Sequence, residues 1–392
     1  MYRYDEIKTV HLEMTDACNA ACPMCARNIN GGEDNPQLPN TELRIDDVKK
    51  IFKPEFIAQL ERMYMCGNYG DPIAARDTLE AFAYFREHNP KMMLSMHTNG
   101  SAKRPEWWAE LAATIGRKGY VVFSLDGLED TNHLYRQNTV WSKIMENAQS
   151  FINAGGRARW DYIVFNHNEH QVEEAEALAN KMGFERFQFK KSARFFSNVS
   201  GVTKEAHQAQ NRKGVRTTLL QAPTNPKYRN AALEEISKVA KGKETEQPIN
   251  FLPTKAKDLE GKLWPQMFTA NPEKKKTMEK YWDEAVIKCK VQEEKSIYIT
   301  AEGIVQPCCW TAGQMYIWYF SPEGAQIWKY INEVGKDNLC AIHHSLEDIV
   351  NGKFMQDLIP GSWSKSSCFD GKLAVCSKTC GTKYDAFSEQ FK

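Results

Sequence analysis

Three cysteines, Cys18, Cys22 and Cys25, fall within eight residues near the start of the chain. Thiolates this close can turn toward one centre. They are one short of the closed four-ligand set of a structural zinc site. A [4Fe–4S] cube has four irons, so three thiolates leave one iron without a protein ligand. That open iron can take N and O atoms of a substrate or cofactor. The competing chemistry is zinc, with His11 or His97 as fourth ligand. A second group lies far along the chain: Cys289, Cys308, Cys309, Cys340, Cys368, Cys376 and Cys380. Cys66 stands alone between the two. The total of 11 is odd, and the opening Met1-Tyr2-Arg3-Tyr4-Asp5 has no apolar stretch behind its charges. Disulfide frameworks suit small secreted domains. The expectation here is metal or redox chemistry in a cytoplasmic protein without signal peptide or membrane span.

Elements of two kinds alternate around the first cysteines. Strands are predicted at Val10–Met14, Arg62–Cys66, Met93–His97, Tyr120–Leu125, Asp161–Phe165 and Phe184–Phe189. Helices are predicted at Ile45–Leu60, Ala75–His88, Pro105–Ile115, Trp141–Ala154 and Val172–Met182. This alternation implies a parallel sheet with right-handed crossovers, whose chemistry sits at the carboxyl ends of the strands. The triplet follows the first strand directly and so occupies such an end. The Trp107-Trp108 pair reads as helix packing.

The chain has 392 residues, 42% hydrophobic and 26% charged, with a net charge of +1, which excludes a mostly disordered chain. The near-neutral balance also disfavours a surface that grips nucleic acid throughout. Residues 204–280 differ, with 16 Lys and Arg against 9 Asp and Glu and six prolines. They read as an irregular basic insertion with one helix at Asn230–Val239. Its two readings are a solvated linker and a docking surface for an acidic partner, peptide or nucleic acid. From Cys289 the texture is again globular, with short strands at Ser296–Thr300 and Val305–Gln306.

Cys18-x3-Cys22-x2-Cys25 after a first strand resembles the radical S-adenosylmethionine (SAM) family. In that family the open iron chelates the methionine amino and carboxylate groups of SAM. An electron from the cluster then yields a 5′-deoxyadenosyl radical. The resemblance covers about Val10 to Lys191 and implies an α/β fold, a partial (β/α)6 TIM-like barrel. Met24 replaces the usual aromatic residue before the third Cys and can pack beside the adenine. Cys66-Gly67-Asn68-Tyr69-Gly70-Asp71-Pro72 resembles the family's Gly-Gly-Glu-Pro stretch, with Asp71 in place of Glu. The resemblance implies that Asn68, Gly70 and Asp71 meet the methionine end of SAM. It also implies cofactor contacts from Thr98 and Asn99, from Ser124 and Asp126 of a Ser-x-Asp-Gly ending, and from Arg136 and Asn166. Cys66 has two readings, core packing or a thiol that returns a hydrogen atom to a substrate radical.

Cys289-x13-Gly303-x4-Cys308 resembles the opening of the SPASM and twitch domains appended to such enzymes. Cys376-x3-Cys380 resembles their closing pair. The middle C-x2-C-x5-C-x3-C run of a full SPASM domain is absent, so the resemblance implies the twitch form. Its one auxiliary [4Fe–4S] cluster would be held by Cys289, Cys308, Cys376 and Cys380, and zinc is the alternative for the same four thiolates. Cys309, Cys340 and Cys368 read as small buried residues. The expected organisation is a barrel at 1–191, an insertion at 192–285 and a Cys-rich domain at 286–392. The implied partners are SAM, an electron donor such as flavodoxin or ferredoxin, and a substrate. The first strand begins about ten residues in, with no peptide-binding domain before it. The expected substrate is therefore a small or nucleotide-sized molecule, or a peptide held by the insertion. The reading from another class is a zinc-stabilised protein whose basic insertion docks nucleic acid or protein without catalysis.

Overall fold

The computed structural model describes residues 1–196, 201–240, 268, 275, 277–319 and 321–382. Six strands run in parallel: β1 (Thr9–Leu12), β2 (Arg62–Met65), β3 (Met93–Thr98), β4 (Gly119–Ser124), β5 (Ala158–Ile163) and β6 (Arg186–Lys190). They lie side by side in chain order, with helices in the connections, as parallel pairing requires. This is the parallel sheet expected from the alternation and the partial (β/α)6 barrel that the resemblance implies. The predicted helix over Ile45–Leu60 is two helices, Ile45–Ile51 and Pro54–Gln59. Pro54 lacks the N–H that would continue the first helix and instead opens the second.

Successive side chains of a strand point to opposite faces, and the two faces here differ in chemistry. Val10, Leu12, Met63, Met65, Leu94, Met96, Val121, Phe123, Trp160 and Tyr162 are buried in the main apolar core. The other phase is largely polar: His11, Tyr64, His97, Ser124, Asp161 and Lys190. That phase faces the inside of the barrel.

Two departures from the expected organisation concern the rest of the chain. The segment β9 (Ser296–Ile299) pairs in parallel with β1, and β10 (Val305–Gln306) folds back on β9. Part of the Cys-rich region thus extends the barrel sheet to eight strands. The β9–β10 turn carries Gly303 at φ +80°, where a Cβ would lie 2.8 Å from the Ile342 side chain, so glycine is required there. The basic insertion is less irregular than expected. It contains the antiparallel hairpin β7 (Ala206–Gln210) and β8 (Arg216–Gln221). The predicted helix is present at Ala231–Ala240. Most of 241–276 lies outside the described residues. Among the described residues no helix is long and apolar enough to cross a membrane.

Candidate functional site

The carboxyl ends of the strands open into one cavity of about 370 Å³. Cys18, Cys22 and Cys25 line it from the loop after β1, Cys66 and Gly67–Asp71 from the end of β2, and His97–Asn99 from β3. Ser124, Arg136, Lys190 and Arg194 complete the wall. The loop after β2 sits flat against the chain leading into the triplet. The Asp71 N–H donates to Ala17 O at 2.9 Å. A Cβ on Gly70 would lie 1.7 Å from Thr15 O. No other residue fits this approach.

Electrostatics around the three thiols are set by buried partners. Asn99 Nδ2 lies 3.7 Å from Cys18 Sγ, and Arg136 lies 3.8 Å from Cys22 Sγ. Burial pushes the Cys22 thiol up to about 11, against the pull of Arg136. A metal that displaces the proton would offset that cost. Arg136 is itself held by Asp126, whose carboxylate accepts from Arg136 Nε at 2.6 Å and from Ile163 N–H. Asp126 is wholly buried behind Arg136 and does not line the cavity. Asn166 is not on the wall either, and its N–H donates to Gln221 O of β8. Asp71 does line the cavity, but its carboxylate also accepts from Asn99 N–H (2.7 Å), Asn99 Nδ2 (2.8 Å) and Ile73 N–H (3.2 Å). It therefore caps the short turn Pro72–Ala74 and orients Asn99 at once. Asn68 reaches the wall while giving its side-chain amide to Cys309 O.

His97 faces the cavity, where burial lowers its pKa to about 4. His11 lies elsewhere, bonded to Cys66 O and stacked on Tyr64. The Cys66 thiol is on the wall, and burial pushes it up to about 12. Several residues of the site stand outside the motifs read from the sequence. Lys190 pairs with Asp161 at 2.6 Å, and Arg194 donates to the Tyr135 hydroxyl at 2.7 Å. Glu13 accepts from Tyr69 N–H (2.8 Å), Gly70 N–H (3.2 Å) and the Tyr298 hydroxyl (2.5 Å), and burial raises it to about 7. The inward phase of each strand, extended one or two residues past its end, would have picked out Glu13 and Lys190.

A second group of thiols converges in the last part of the chain. Cys289, Cys308, Cys376 and Cys380 surround a space of about 10 Å³ otherwise walled by Ile287, Val291, Pro307, Trp310, Trp363 and other apolar groups. Cys376 and Cys380 are four apart on the helix Ala374–Cys380, so both thiols fall on one face. Cys289 hydrogen-bonds Cys380, which together with burial raises its pKa. Cys340 and Cys368 are buried, with Cys340 Sγ against Glu302 O. Cys309 lies near Cys308, Cys66 and Tyr64 and is not on the wall of that space. Among the described residues, no three His, Cys, Asp or Glu side chains are grouped so as to hold a single metal ion.

Residues 12–180 match the family model of the radical SAM superfamily. That stretch carries the Cys18/Cys22/Cys25 triplet and runs from the end of β1 through β5. Two solved structures of SuiB from Streptococcus suis share the fold of the chain. One is bound to the precursor peptide SuiA, at 14% identity and TM-score 0.51, covering 98% of this chain and 77% of that one. The other is bound to S-adenosylmethionine, at 14% identity and TM-score 0.51, covering 97% and 76%. Among curated proteins no sequence matches.

Proposed function

We propose that this chain is a radical SAM enzyme that cleaves SAM reductively at a [4Fe–4S] cluster held by Cys18, Cys22 and Cys25, and removes a hydrogen atom from a small-molecule or peptide substrate in the same cavity. The observation that carries the reading is the convergence of the three thiols, the Gly67–Asp71 loop, Asn99 and Arg136 on one 370 Å³ space. Cluster and SAM together supply the one-electron cleavage and the 5′-deoxyadenosyl radical. The protein's own part is to bind, orient and shield. Arg136, fixed by Asp126, sets a positive charge beside Cys22. Asp71 offers the negative charge that a methionine ammonium needs, and Asn99 is turned toward Cys18. Leu220 and Ala222, at the end of the hairpin, pack with Cys22, Tyr135 and Phe165 and keep water from that side. Arg194 brings a positive charge to the far wall beside the Lys190–Asp161 pair, which favours a substrate bearing a carboxylate or phosphate.

The four C-terminal thiols suit a second cluster. Their donor set is four cysteine thiolates in an apolar setting, and zinc is the alternative occupant of the same four thiolates. Domains at 1–191, 192–285 and 286–392 remain the proposed division, with β9 and β10 shared into the barrel sheet. A one-electron donor such as flavodoxin or ferredoxin would reduce the first cluster. The test is anaerobic reconstitution with iron and sulfide, then SAM and a chemical reductant. The expected result is brown protein that forms 5′-deoxyadenosine, and wild-type yield from Cys22→Ala would refute the assignment. Colourless protein with stoichiometric zinc would favour the binding-protein reading.

A further inference from the structure

The loop that would meet SAM is fastened to the turn that carries a C-terminal thiol. Asn68 Nδ2 donates to Cys309 O at 2.8 Å. The Tyr69 hydroxyl donates to Gly313 O at 2.9 Å and accepts from Tyr316 N–H at 3.2 Å. Both carbonyls belong to the one turn that begins at Cys308, through the helix Cys309–Ala312. The two segments are in van der Waals contact at Gly313, where a Cβ would lie 3.5 Å from Asn68 Cγ. On the other side, Glu13 joins the Tyr69 and Gly70 N–H groups to the Tyr298 hydroxyl of β9. The Asn68 N–H also faces that hydroxyl. Every residue from Asn68 to Gly70 thus has a bond that leads, directly or through Glu13, to residues 298–316.

We propose that the Cys308–Tyr316 turn and the Glu13–Tyr298 pair set the shape of the Gly67–Asp71 loop, so that filling of the C-terminal thiol site and SAM binding at the first site are energetically coupled. This rests on the function proposed above. The Cys308 Sγ lies 3.6 Å from the Thr311 hydroxyl, which in turn donates to Cys308 O. Whatever fixes Cys308 therefore fixes the carbonyls that Asn68 and Tyr69 use. Coupling of this kind is reciprocal in binding free energy. SAM must hold the C-terminal site together by the same factor by which that site improves SAM binding. Glu13 and Tyr298 are positioning residues, acting on SAM only through the loop.

The test uses the anaerobically reconstituted full chain and three proteins: wild type, Tyr298→Phe and Cys376→Ala/Cys380→Ala. SAM affinity is measured by equilibrium dialysis, with iron counted at the first site. In parallel, loss of the C-terminal cluster to a chelator is read by mass spectrometry as alkylation of Cys289 and Cys308, with and without SAM. The expected result is SAM affinity about tenfold weaker in the double variant and several-fold weaker in Tyr298→Phe, within the usual span of such couplings, with first-site iron retained. SAM should slow alkylation of Cys289 and Cys308 in wild type and lose that effect in Tyr298→Phe. Wild-type affinity in both variants would overturn the proposal alone. A wild-type chain that binds iron but no SAM would overturn the reading it rests on, and the proposal with it.

Discussion

Replacing Glu13 with Gln should make the protein less sensitive to pH between 5.5 and 7.5. Glu13 is 2% exposed and stands near 7 because burial disfavours its charge, outweighing its bonds to Tyr298, Tyr69 and Gly70. In the unfolded chain the same carboxyl titrates near its ordinary value of 4.5. Between those values the folded state binds a proton that the unfolded state does not. Stability from this group is therefore fully present below about 4.5 and is lost as pH rises through about 7. The full span corresponds to about 3 kcal/mol, and the window from pH 5.5 to 7.5 captures about 2 kcal/mol of it. Gln resembles the protonated acid. Its oxygen can accept from Tyr69 and Gly70 and its amide can donate to the Tyr298 oxygen. Glu13→Gln should match wild type only below about pH 4.5, exceed it by about 1 kcal/mol at pH 5.5 and by about 3 kcal/mol at pH 7.5, so that the gap widens by about 2 kcal/mol across the window. Buried His11 and His97 slope the other way in both proteins, so the comparison isolates Glu13. The assay is anaerobic urea unfolding of both proteins at the two pH values. The same pH slope in both proteins would refute the argument.

Three further outcomes can be checked. The triple variant Cys18→Ala/Cys22→Ala/Cys25→Ala should keep about one [4Fe–4S] unit by iron and sulfide counting, since the four C-terminal thiols proposed to hold a second cluster surround a space of their own. Gly70→Ala should fail to accumulate as folded protein or lose SAM binding outright, because its Cβ would overlap Thr15 O. A variant with wild-type midpoint and affinity would show that the loop can lift away. Carboxylate- or phosphate-bearing candidates should stimulate 5′-deoxyadenosine formation more than their neutral amides or alcohols. Arg194→Met should narrow the gap, and equal stimulation in wild type would remove the charge argument.

Local pattern made the parallel sheet legible, and the resemblance supplied the barrel. Alternating strand and helix periods fix its six strands to within a few residues, and the loops they end in are where Cys18–Cys25, Gly67–Asp71 and Asn99 stand. What escaped was set by contacts distant in sequence. Ser296–Ile299 reads as a strand, but nothing local says that it pairs with Thr9–Leu12. Ala206–Gln210 alternates weakly and gains its strand only by pairing with 216–221 and resting on the thiol loop, where Gln210 N–H meets Asn30 O. Asp126 reads as a cavity residue by motif, yet it faces the back of Arg136. Glu13 reads as an ordinary strand-end carboxylate. Its neighbours Tyr69 and Tyr298 lie 56 and 285 residues away.

The pairing of β9 with β1 also has a consequence in time. Strand β1 begins at Thr9 and its outer partner begins at Ser296. During synthesis at roughly 5–20 residues per second, that partner emerges about 15–60 s after the strand it covers. For that interval the edge of β1 is an open template for another chain. Tyr298, which bonds Glu13, arrives with β9, and Leu220 and Ala222 of the thiol shield arrive only somewhat earlier. Cys18, Cys22 and Cys25 therefore wait on a half-built barrel, exposed to oxidant and to any cluster carrier. Loading during that wait would meet an open loop, whereas loading after completion would have to pass the finished wall.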